Sequence, residues 1–251
     1  MNAGKDAILY RIVMDKHVCP WGLKAKWLLA RKGYRVDDRW LRTPEENAAL
    51  KARYDVKTTP QVIINGLRIG GYEDLRRHFG LSVRDPKAPT YVPVLAIFAM
   101  TALMALAASQ AAFGTPLTIH AAEWFIAFSM CVLAIQKLRD LDSFSTMFLG
   151  YDLLARRWVP YGYIYPFDEA LAGVLMVAGA LTWLAAPLAL FIGTVGAVSV
   201  FYAVYVQKRE IKCACVGGDS NVPLGFVSLT ENLMMVAMAV WMLAGASSAP
   251  G

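Results

Sequence analysis

The sequence predicts two domains of different fold class: an α/β domain over residues 1–84 and an all-α membrane helix bundle over residues 91–251. Three observations predict this division. Hydrophobic residues make up 57% of the 251 residues, too many for an ordinary soluble protein. The apolar segments lie after residue 91, and several are long enough to span a bilayer. The prolines within residues 85–90 predict a linker between the two parts.

Charge is divided in the same way. Residues 1–91 hold 18 of the 25 Lys and Arg and 10 of the 19 Asp and Glu, a net charge of +8, and the remainder has a net charge of −2. The basic residues are interleaved with acids and show no aromatic stacking pattern, which argues against nucleic acid and favours a surface near anionic lipid headgroups. The first residues show no signal-peptide pattern, so we expect a cytosolic first domain.

Turn and cap signals predict the order β-α-β-α-β-β-α in the first domain. Residues 8–13 form a buried-strand pattern, residues 21–31 have helical spacing, and residues 34–41 predict a second strand. Thr43 with Glu46 predicts the N-cap and capping box of a second helix. The Asn65-Gly66 turn then predicts a hairpin, which a last helix follows at residues 72–79.

Cys19 lies at the predicted junction between the first strand and the first helix. Unpaired backbone N–H groups and the helix dipole stabilise a thiolate at such a position. A degenerate fold that merely retains an inert cysteine is the alternative. The position favours a reactive thiol over that alternative.

Four motifs in order make residues 6–80 resemble a glutaredoxin, which has a thioredoxin fold. They are Lys16 before Cys19, Cys19-Pro20-Trp21-Gly22, Thr58-Thr59-Pro60, and Gly70-Gly71-Tyr72-Glu73-Asp74-Leu75. The resemblance implies that Cys19 is the nucleophile and that glutathione is the cofactor. It also implies that Lys16 contacts the glycyl carboxylate, that the backbone of Thr59 binds the peptide beside a cis Pro60, and that the γ-glutamyl end and the rest of the site involve Trp21, Gly71, Glu73 and Asp74.

Gly22 departs from the usual dithiol motif, because a second active-site cysteine commonly stands there. A catalytic cycle that uses two cysteines of this domain is therefore not possible. Cys19 can still attack a glutathionylated sulfur and be released by a second glutathione. Sharing of an iron–sulfur cluster between two such domains stays open, although the motif is not of the Cys-Gly-Phe-Ser type.

The membrane half contains five predicted spans, at residues 91–113, 117–138, 166–184, 187–206 and 222–243. If the first span begins on the cytosolic side of the membrane, all seven Lys and Arg residues of this half fall in the cytosol. This is the pattern that the positive-inside rule describes. We therefore predict a multi-pass protein of a bacterial-type inner or plasma membrane. A single long helix through Ala185–Pro187 would change this topology.

Cys213 and Cys215 lie between the last two predicted spans, on the same side as Cys19. A Cys-x-Cys pair either closes an easily reduced disulfide or chelates a soft ion such as copper or mercury. Nearby lysine and arginine residues favour the thiolate forms. Two ordinary thiols in a loop are the remaining interpretation.

Residues 120–245 are similar to the MauE and DoxX-like membrane family. The resemblance rests on Lys137-Leu138-Arg139-Asp140, Pro166-Phe167-Asp168-Glu169, Cys213-Ala214-Cys215-Val216-Gly217, and Pro223-Leu224 with Asn232. It implies a four-helix core with residues 91–113 as one extra helix, and a role in thiol or disulfide chemistry. Glu231 departs from the pattern, at a position that is often basic.

Polar residues inside the predicted spans are expensive to place in a bilayer, so each is a functional hypothesis. His120, Glu123 and Cys131 share one stripe of the second span, which suits a soft metal or a proton. His120 and Glu123 at the outer interface, with Cys131 as a small core residue, is the plainer interpretation. Glu169, Glu231 and Asn232 are the other candidates.

These features predict a membrane-bound, glutathione-linked thiol–disulfide oxidoreductase in which Cys19 exchanges with Cys213 and Cys215 or with a partner thiol. With no cysteine predicted on the outer side, electrons that cross the membrane would need a bound quinone. One alternative is a transporter of mercury or copper that uses Cys131, Cys213 and Cys215. Another is a glutaredoxin that is merely tethered. Expected partners are glutathione, membrane lipid, a thiol or disulfide protein, and a second copy in a homodimer.

Overall fold

The computed structural model describes residues 5–15, 17–83, 85, 88–214 and 221–248. The chain divides into two compact units, Met1–Pro86 and Lys87–Gly251. The first is an α/β unit and the second is helical, which confirms the predicted fold classes.

The first unit follows the predicted order of strands and helices, with one short strand added. Its elements are β1 (Asp6–Met14), β2 (His17–Val18), α1 (Pro20–Arg31), β3 (Arg35–Leu41), α2 (Pro44–Tyr54), β4 (Gln61–Ile64), β5 (Leu67–Gly70) and α3 (Tyr72–His78). The predicted N-cap is confirmed, because Thr43 Oγ1 accepts a hydrogen bond from the Glu46 N–H at 3.2 Å.

β1 is the central strand of this unit. It pairs in parallel with β3 and antiparallel with β4, and β4 pairs with β5. The short β2 pairs antiparallel with the end of β1, at Val13 and Met14, and so leads the chain back toward α1. Leu9, Leu29 and Val62 are completely buried between the sheet and the helices. This core fixes the start of α1 against the end of β1.

The second unit contains six α-helices in its described part. They are α4 (Val92–Phe113), α5 (Ile119–Leu138), α6 (Leu141–Leu149), α7 (Val159–Ala178), α8 (Thr182–Phe201), which continues as a π-helical turn at Tyr202–Val206, and α9 (Phe226–Ser248). Within the part of the chain that the structure describes, four segments are long and apolar enough to cross a membrane: Val92–Phe113, Ile119–Leu138, Thr182–Val206 and Phe226–Gly245.

The predicted boundary between the third and fourth spans is wrong. α7 ends at Ala178, α8 begins at Thr182, and Pro187 lies inside α8. Gly179 ends α7 in the left-handed conformation with φ 61°, a common way to terminate a helix. Prolines are tolerated inside membrane helices, so Pro166 and Pro187 mark no ends. The connection at 179–181 also excludes a single long helix through Pro187.

α7 is the helix that falls on the predicted third span but is not among the four apolar segments. Its 20 residues are long enough to cross, but Asp168, Glu169 and several tyrosines make it less apolar. α7 packs against α5 and α8, and α8 packs closely against α9. Glycines permit this close packing, as at Gly193, whose backbone lies against Met235 and Val236 of α9.

Candidate redox site

Cys19 occupies the N-cap position of α1, directly before Pro20. Its N–H donates to the carbonyl of Ile12 at 3.1 Å, and its own carbonyl accepts from the Leu23 N–H at 3.2 Å. The cysteine is free and 6% exposed. The fold therefore holds this thiol between the central strand and the first turn of a helix, where the sequence predicts it.

A groove of about 380 Å³ lies beside this helix start. It is lined by Trp21, Thr58, Thr59, Pro60, Gly71, Tyr72, Glu73 and Asp74. The six described residues that the glutaredoxin resemblance assigned to glutathione all belong to this lining. The Thr59–Pro60 bond is cis, and the Trp21 ring lies 5.8 Å from the Tyr72 ring, centroid to centroid. Lys16 lies outside the described residues.

The two acidic residues of the groove have different surroundings. Asp74 Oδ2 accepts a hydrogen bond from the Gly71 N–H at 2.9 Å, and its Oδ1 accepts one from Arg77 at 2.7 Å. Both oxygens of Asp74 are thus occupied, one by the N-cap of α3 and the other by an arginine in its last turn. The Glu73 carboxylate is 54% exposed and has only a long contact, 3.9 Å, with Arg77. Glu73 is therefore the carboxylate better placed to bind a cation in the groove.

Residue 22 is a glycine at a position where the Arg11 side chain leaves no room for a Cβ. A Cβ at residue 22 would come within 2.6 Å of Arg11 Cβ. Arg11 is buried and forms two hydrogen bonds with Asp38, at 2.8 and 2.9 Å. Burial alone raises the pKa of Asp38, but the hydrogen bonds from Arg11 and Lys26 hold that pKa well below its usual range. Packing at Arg11 thus excludes a side chain at the position of a second active-site cysteine.

This contact makes a Gly22→Cys variant a sharp test of the monothiol site. We expect the substitution to lower the stability of the first unit by about 1–3 kcal/mol, the usual cost of overpacking. Hydrogen exchange of the β1 and α1 amides in the full-length chain measures the change. Lys24→Cys, an exposed position on the same helix, is the control. Equal protection in both variants would contradict the packing account.

The second candidate redox residue is Cys213, between α8 and α9. It is fully buried and disulfide-bonded, whereas Cys215 lies outside the described residues. The Cys213 N–H donates to the carbonyl of Val222 at 2.7 Å, so two segments of this connection run side by side. The Ser228 hydroxyl on α9 lies 3.0 Å from Cys213 Sγ.

Three charged side chains meet in the interior of the helical unit. Lys137 on α5 contacts Glu169 on α7 at 2.5 Å and Glu231 on α9 at 3.1 Å. All three are buried, and Glu169 is completely inaccessible. We call Lys137, Glu169 and Glu231 the buried ionic triad.

The sequence motifs do not link Glu169 to Glu231, and the positive-inside pattern places Lys137 at the cytosolic boundary. A usable signal was present, because charges within membrane segments need partners. Lys137 is the one basic residue within residues 119–138, and Glu169 and Glu231 lie inside the following apolar segments. Pairing by charge would have predicted the triad.

Comparison with family models shows what the two units are. The model described as "Methylamine utilisation protein MauE" matches residues 115–245, and the model described as "Glutaredoxin" matches residues 11–69. The chain belongs to the MauE family. It carries a glutaredoxin domain fused to the MauE domain, as the sequence motifs indicate. No curated protein and no solved structure matched the chain.

The two domains together make the chain a membrane-associated redox protein. The MauE domain, together with the four long apolar helices of the described residues, makes it a multi-pass membrane protein. The glutaredoxin domain implies glutathione or another thiol as its partner.

The three residues of the predicted stripe on α5, His120, Glu123 and Cys131, do not form one cluster. His120 Nδ1 lies 2.7 Å from Glu123 Oε2, and Glu123 Oε1 accepts from the Trp241 indole at 2.8 Å. Cys131 lies further along the helix, with its sulfur against Gly173 of α7. Among the described residues, no group of three or more His, Cys, Asp or Glu side chains is placed to hold a metal ion. Cys213 is disulfide-bonded and is therefore not a thiolate ligand in this structure.

A second groove, of about 610 Å³, lies at the end of the MauE domain that holds Cys213. Its lining includes Lys208, Arg209, Lys212, Glu210, Asn221 and Leu224. Lys212 and Pro223, on its wall, form a β-bridge one residue before Cys213. The lining holds three cations and one carboxylate, so this surface is positively charged beside the buried cysteine. We call it the basic groove.

Proposed function

We propose that the protein is a membrane-bound, glutathione-linked thiol–disulfide oxidoreductase. One observation carries the proposal: a free cysteine beside the glutaredoxin groove and a disulfide-bonded cysteine in the MauE domain belong to one chain. Cys19 and Cys131 are free, so we propose Cys215 as the partner of Cys213.

The cycle needs two glutathione molecules. The thiolate of the first attacks Cys215 Sγ, the disulfide breaks, and Cys213 leaves as a thiolate that takes up a proton. Cys19 then attacks the glutathione sulfur on Cys215, and Cys215 is released as a thiol. A second glutathione attacks the mixed disulfide on Cys19, which forms oxidised glutathione and restores Cys19. Two electrons pass from two glutathiones to the Cys213 disulfide.

The groove beside Cys19 suits this tripeptide. The open edge before Pro60 suits the peptide backbone, and Glu73 suits the ammonium of the γ-glutamyl end. We place Lys16 at the glycyl carboxylate on the basis of the motif alone. Gly22 allows only the monothiol cycle, because no second thiol in α1 competes for the mixed disulfide.

We further propose that the glutaredoxin domain and the Cys213 connection share the cytosolic side. If α7 crosses with α4, α5, α8 and α9, every Lys and Arg in the connections between these helices lies at one end of the bundle. The positive-inside rule then assigns that end to the cytosol, where glutathione is reduced.

The basic groove predicts a preference for an anionic thiol. Glutathione carries a net negative charge, so we expect Lys208→Glu to slow reduction of the Cys213 disulfide by glutathione roughly 3- to 10-fold at low salt. The effect should shrink at high salt. Stopped-flow rates with glutathione and with uncharged 2-mercaptoethanol measure it, and Arg139→Glu controls for total charge. Equal slowing with both thiols would show that the groove does not select charge.

The mixed disulfide on Cys19 is the intermediate that tests the cycle. We expect purified protein in lipid nanodiscs, treated with oxidised glutathione, to carry glutathione on Cys19 in peptide mass spectra. Cys131, also free, should remain unmodified because its sulfur packs against α7. Glutathione on Cys131 alone, or on neither residue, would refute the proposed function.

A further inference from the structure

The buried ionic triad has an unequal charge balance. One ammonium, Lys137, faces two carboxylates, and all three groups are shielded from solvent. Two like charges in a site of low dielectric do not both ionise when only one cation compensates them. The arrangement becomes neutral when Glu169 and Glu231 hold one proton between them.

Unused oxygens point to the same proton. Within the described residues, Glu169 Oε1 and Glu231 Oε2 have no hydrogen-bond partner, although both side chains are more than nine-tenths buried. Buried carboxylate oxygens without a donor are costly. Both carboxylates contact the same Lys137 ammonium, at 2.5 and 3.1 Å, so one proton held between them supplies the donor that is lacking.

Other titratable groups face the triad from each packed element. Tyr165 of α7 lies with its ring 5.1 Å from Lys137 Nζ. Glu169 also interacts electrostatically with Tyr161 of α7, Tyr151 after α6 and Cys131 of α5. Asp152 interacts in the same way with the two tyrosines. None of these groups is a cation, so Lys137 remains the positive charge that both carboxylates share among the residues described here.

One face of α9 carries both Glu231 of the triad and Ser228, the residue that contacts Cys213. Ser228, Glu231 and Asn232 are three and four residues apart, so they lie on one side of the helix. The Asn232 amide donates to the carbonyl of Ser228 at 2.7 Å, and the Ser228 hydroxyl lies 3.0 Å from Cys213 Sγ. A sulfur in a disulfide has no proton, so Ser228 is the donor in this contact. The Ser228 hydroxyl is thus directed at the atom that becomes a thiolate on reduction.

We propose that Glu169 and Glu231 form a proton-binding site that protonates Cys213 when its disulfide is reduced, an inference that rests on the proposed function for its physiological reductant. Attack on the partner sulfur breaks the S–S bond and leaves the electron pair on Cys213. Ser228 gives its proton to that sulfur and takes the proton held by the carboxylate pair. The pair is reprotonated from water after turnover.

The test separates this site from Cys19 and glutathione by using a water-soluble phosphine as the reductant. The phosphine attacks the partner sulfur, Cys213 leaves, and water converts the adduct to phosphine oxide and a second thiol. Infrared spectra of the oxidised full-length chain in nanodiscs report the C=O stretch of a protonated carboxylic acid. Reduction rates are then measured against pH for wild type, Glu169→Gln, Glu231→Gln, Ser228→Ala and the neighbouring Asp168→Asn.

We expect a carboxylic acid band in wild type that either Gln variant removes. In each variant the remaining glutamate is ionised, because Lys137 alone balances its charge. Both Gln variants should be reduced at least about tenfold more slowly at neutral pH, with a flattened pH profile, as for loss of a general acid. Ser228→Ala should be slow but keep the band, and Asp168→Asn should match wild type in both.

Absence of the band in wild type, or wild-type rates in both Gln variants, would overturn the proposal. Failure of glutathione to act through Cys19 would refute the proposed function while leaving these phosphine results unchanged. The two failures are therefore distinguishable.

Discussion

Replacement of Cys19 by Ser should lower the rate at which glutathione converts the Cys213 disulfide to two thiols by at least about 100-fold, because without this nucleophile the glutathione on Cys215 is removed only by uncatalysed exchange. A hydroxyl at the start of α1 retains the size of the thiol but cannot accept glutathione. Until that glutathione is removed, the Cys213 thiolate can attack Cys215 and re-form the disulfide. Quenched alkylation followed by mass spectrometry gives the rate.

Cys131→Ser is the matched control for this experiment, because it removes the other free cysteine among the described residues. Its reduction rate should stay within a factor of about two of wild type, since Cys131 has no place in the exchange cycle. Equal rates in the Cys19 variant and in wild type would mean that the glutaredoxin domain does not act on this disulfide.

Replacement of Lys137 by Met should destabilise the MauE domain by about 3–5 kcal/mol, because breaking a buried ion pair leaves uncompensated charge. In this case two carboxylates, Glu169 and Glu231, lose their common cation. Thermal unfolding in a fixed detergent, followed by loss of helical circular dichroism, measures the change.

Arg139→Met provides the comparison, since Arg139 lies two residues away, is exposed and contacts Gln136. It should change stability by less than about 0.5 kcal/mol, as is usual for exposed positions. Adding Glu169→Gln and Glu231→Gln to Lys137→Met should recover most of the loss, because neutral groups need no cation. No recovery would show that Lys137 stabilises the bundle by packing alone.

Much of the glutaredoxin domain follows from local sequence. Strands and helices there are marked by apolar periodicity and by short-range signals such as the Thr43 cap and the Asn65-Gly66 turn, which act within a few residues. The groove residues from Trp21 to Asp74 also belong to sequence motifs. Their motifs lie at the ends of neighbouring strands and helices, so the order of these elements predicts that they lie close together.

Features that depend on residues far apart in sequence were missed. Arg11 and Asp38 are 27 residues apart, and only the parallel pairing of β1 with β3 brings Asp38 to Arg11, which lies beneath Gly22. Lys137 and Glu231 are 94 residues apart, and a lysine at a helix end ordinarily extends to the interface. Proline was misleading in the membrane half, because packing within the bundle allows Pro166 and Pro187 inside helices.

The most direct test of the account is equilibration of the full-length protein in nanodiscs with a series of reduced-to-oxidised glutathione ratios, for wild type and Cys19→Ser. Mass spectrometry after alkylation then gives the fraction of chains in which Cys213 and Cys215 are both thiols. We predict that this fraction follows the glutathione ratio in wild type and fails to equilibrate on the same timescale in the variant. A wild-type disulfide that stays oxidised at every ratio, or a variant that equilibrates equally fast, would contradict the account.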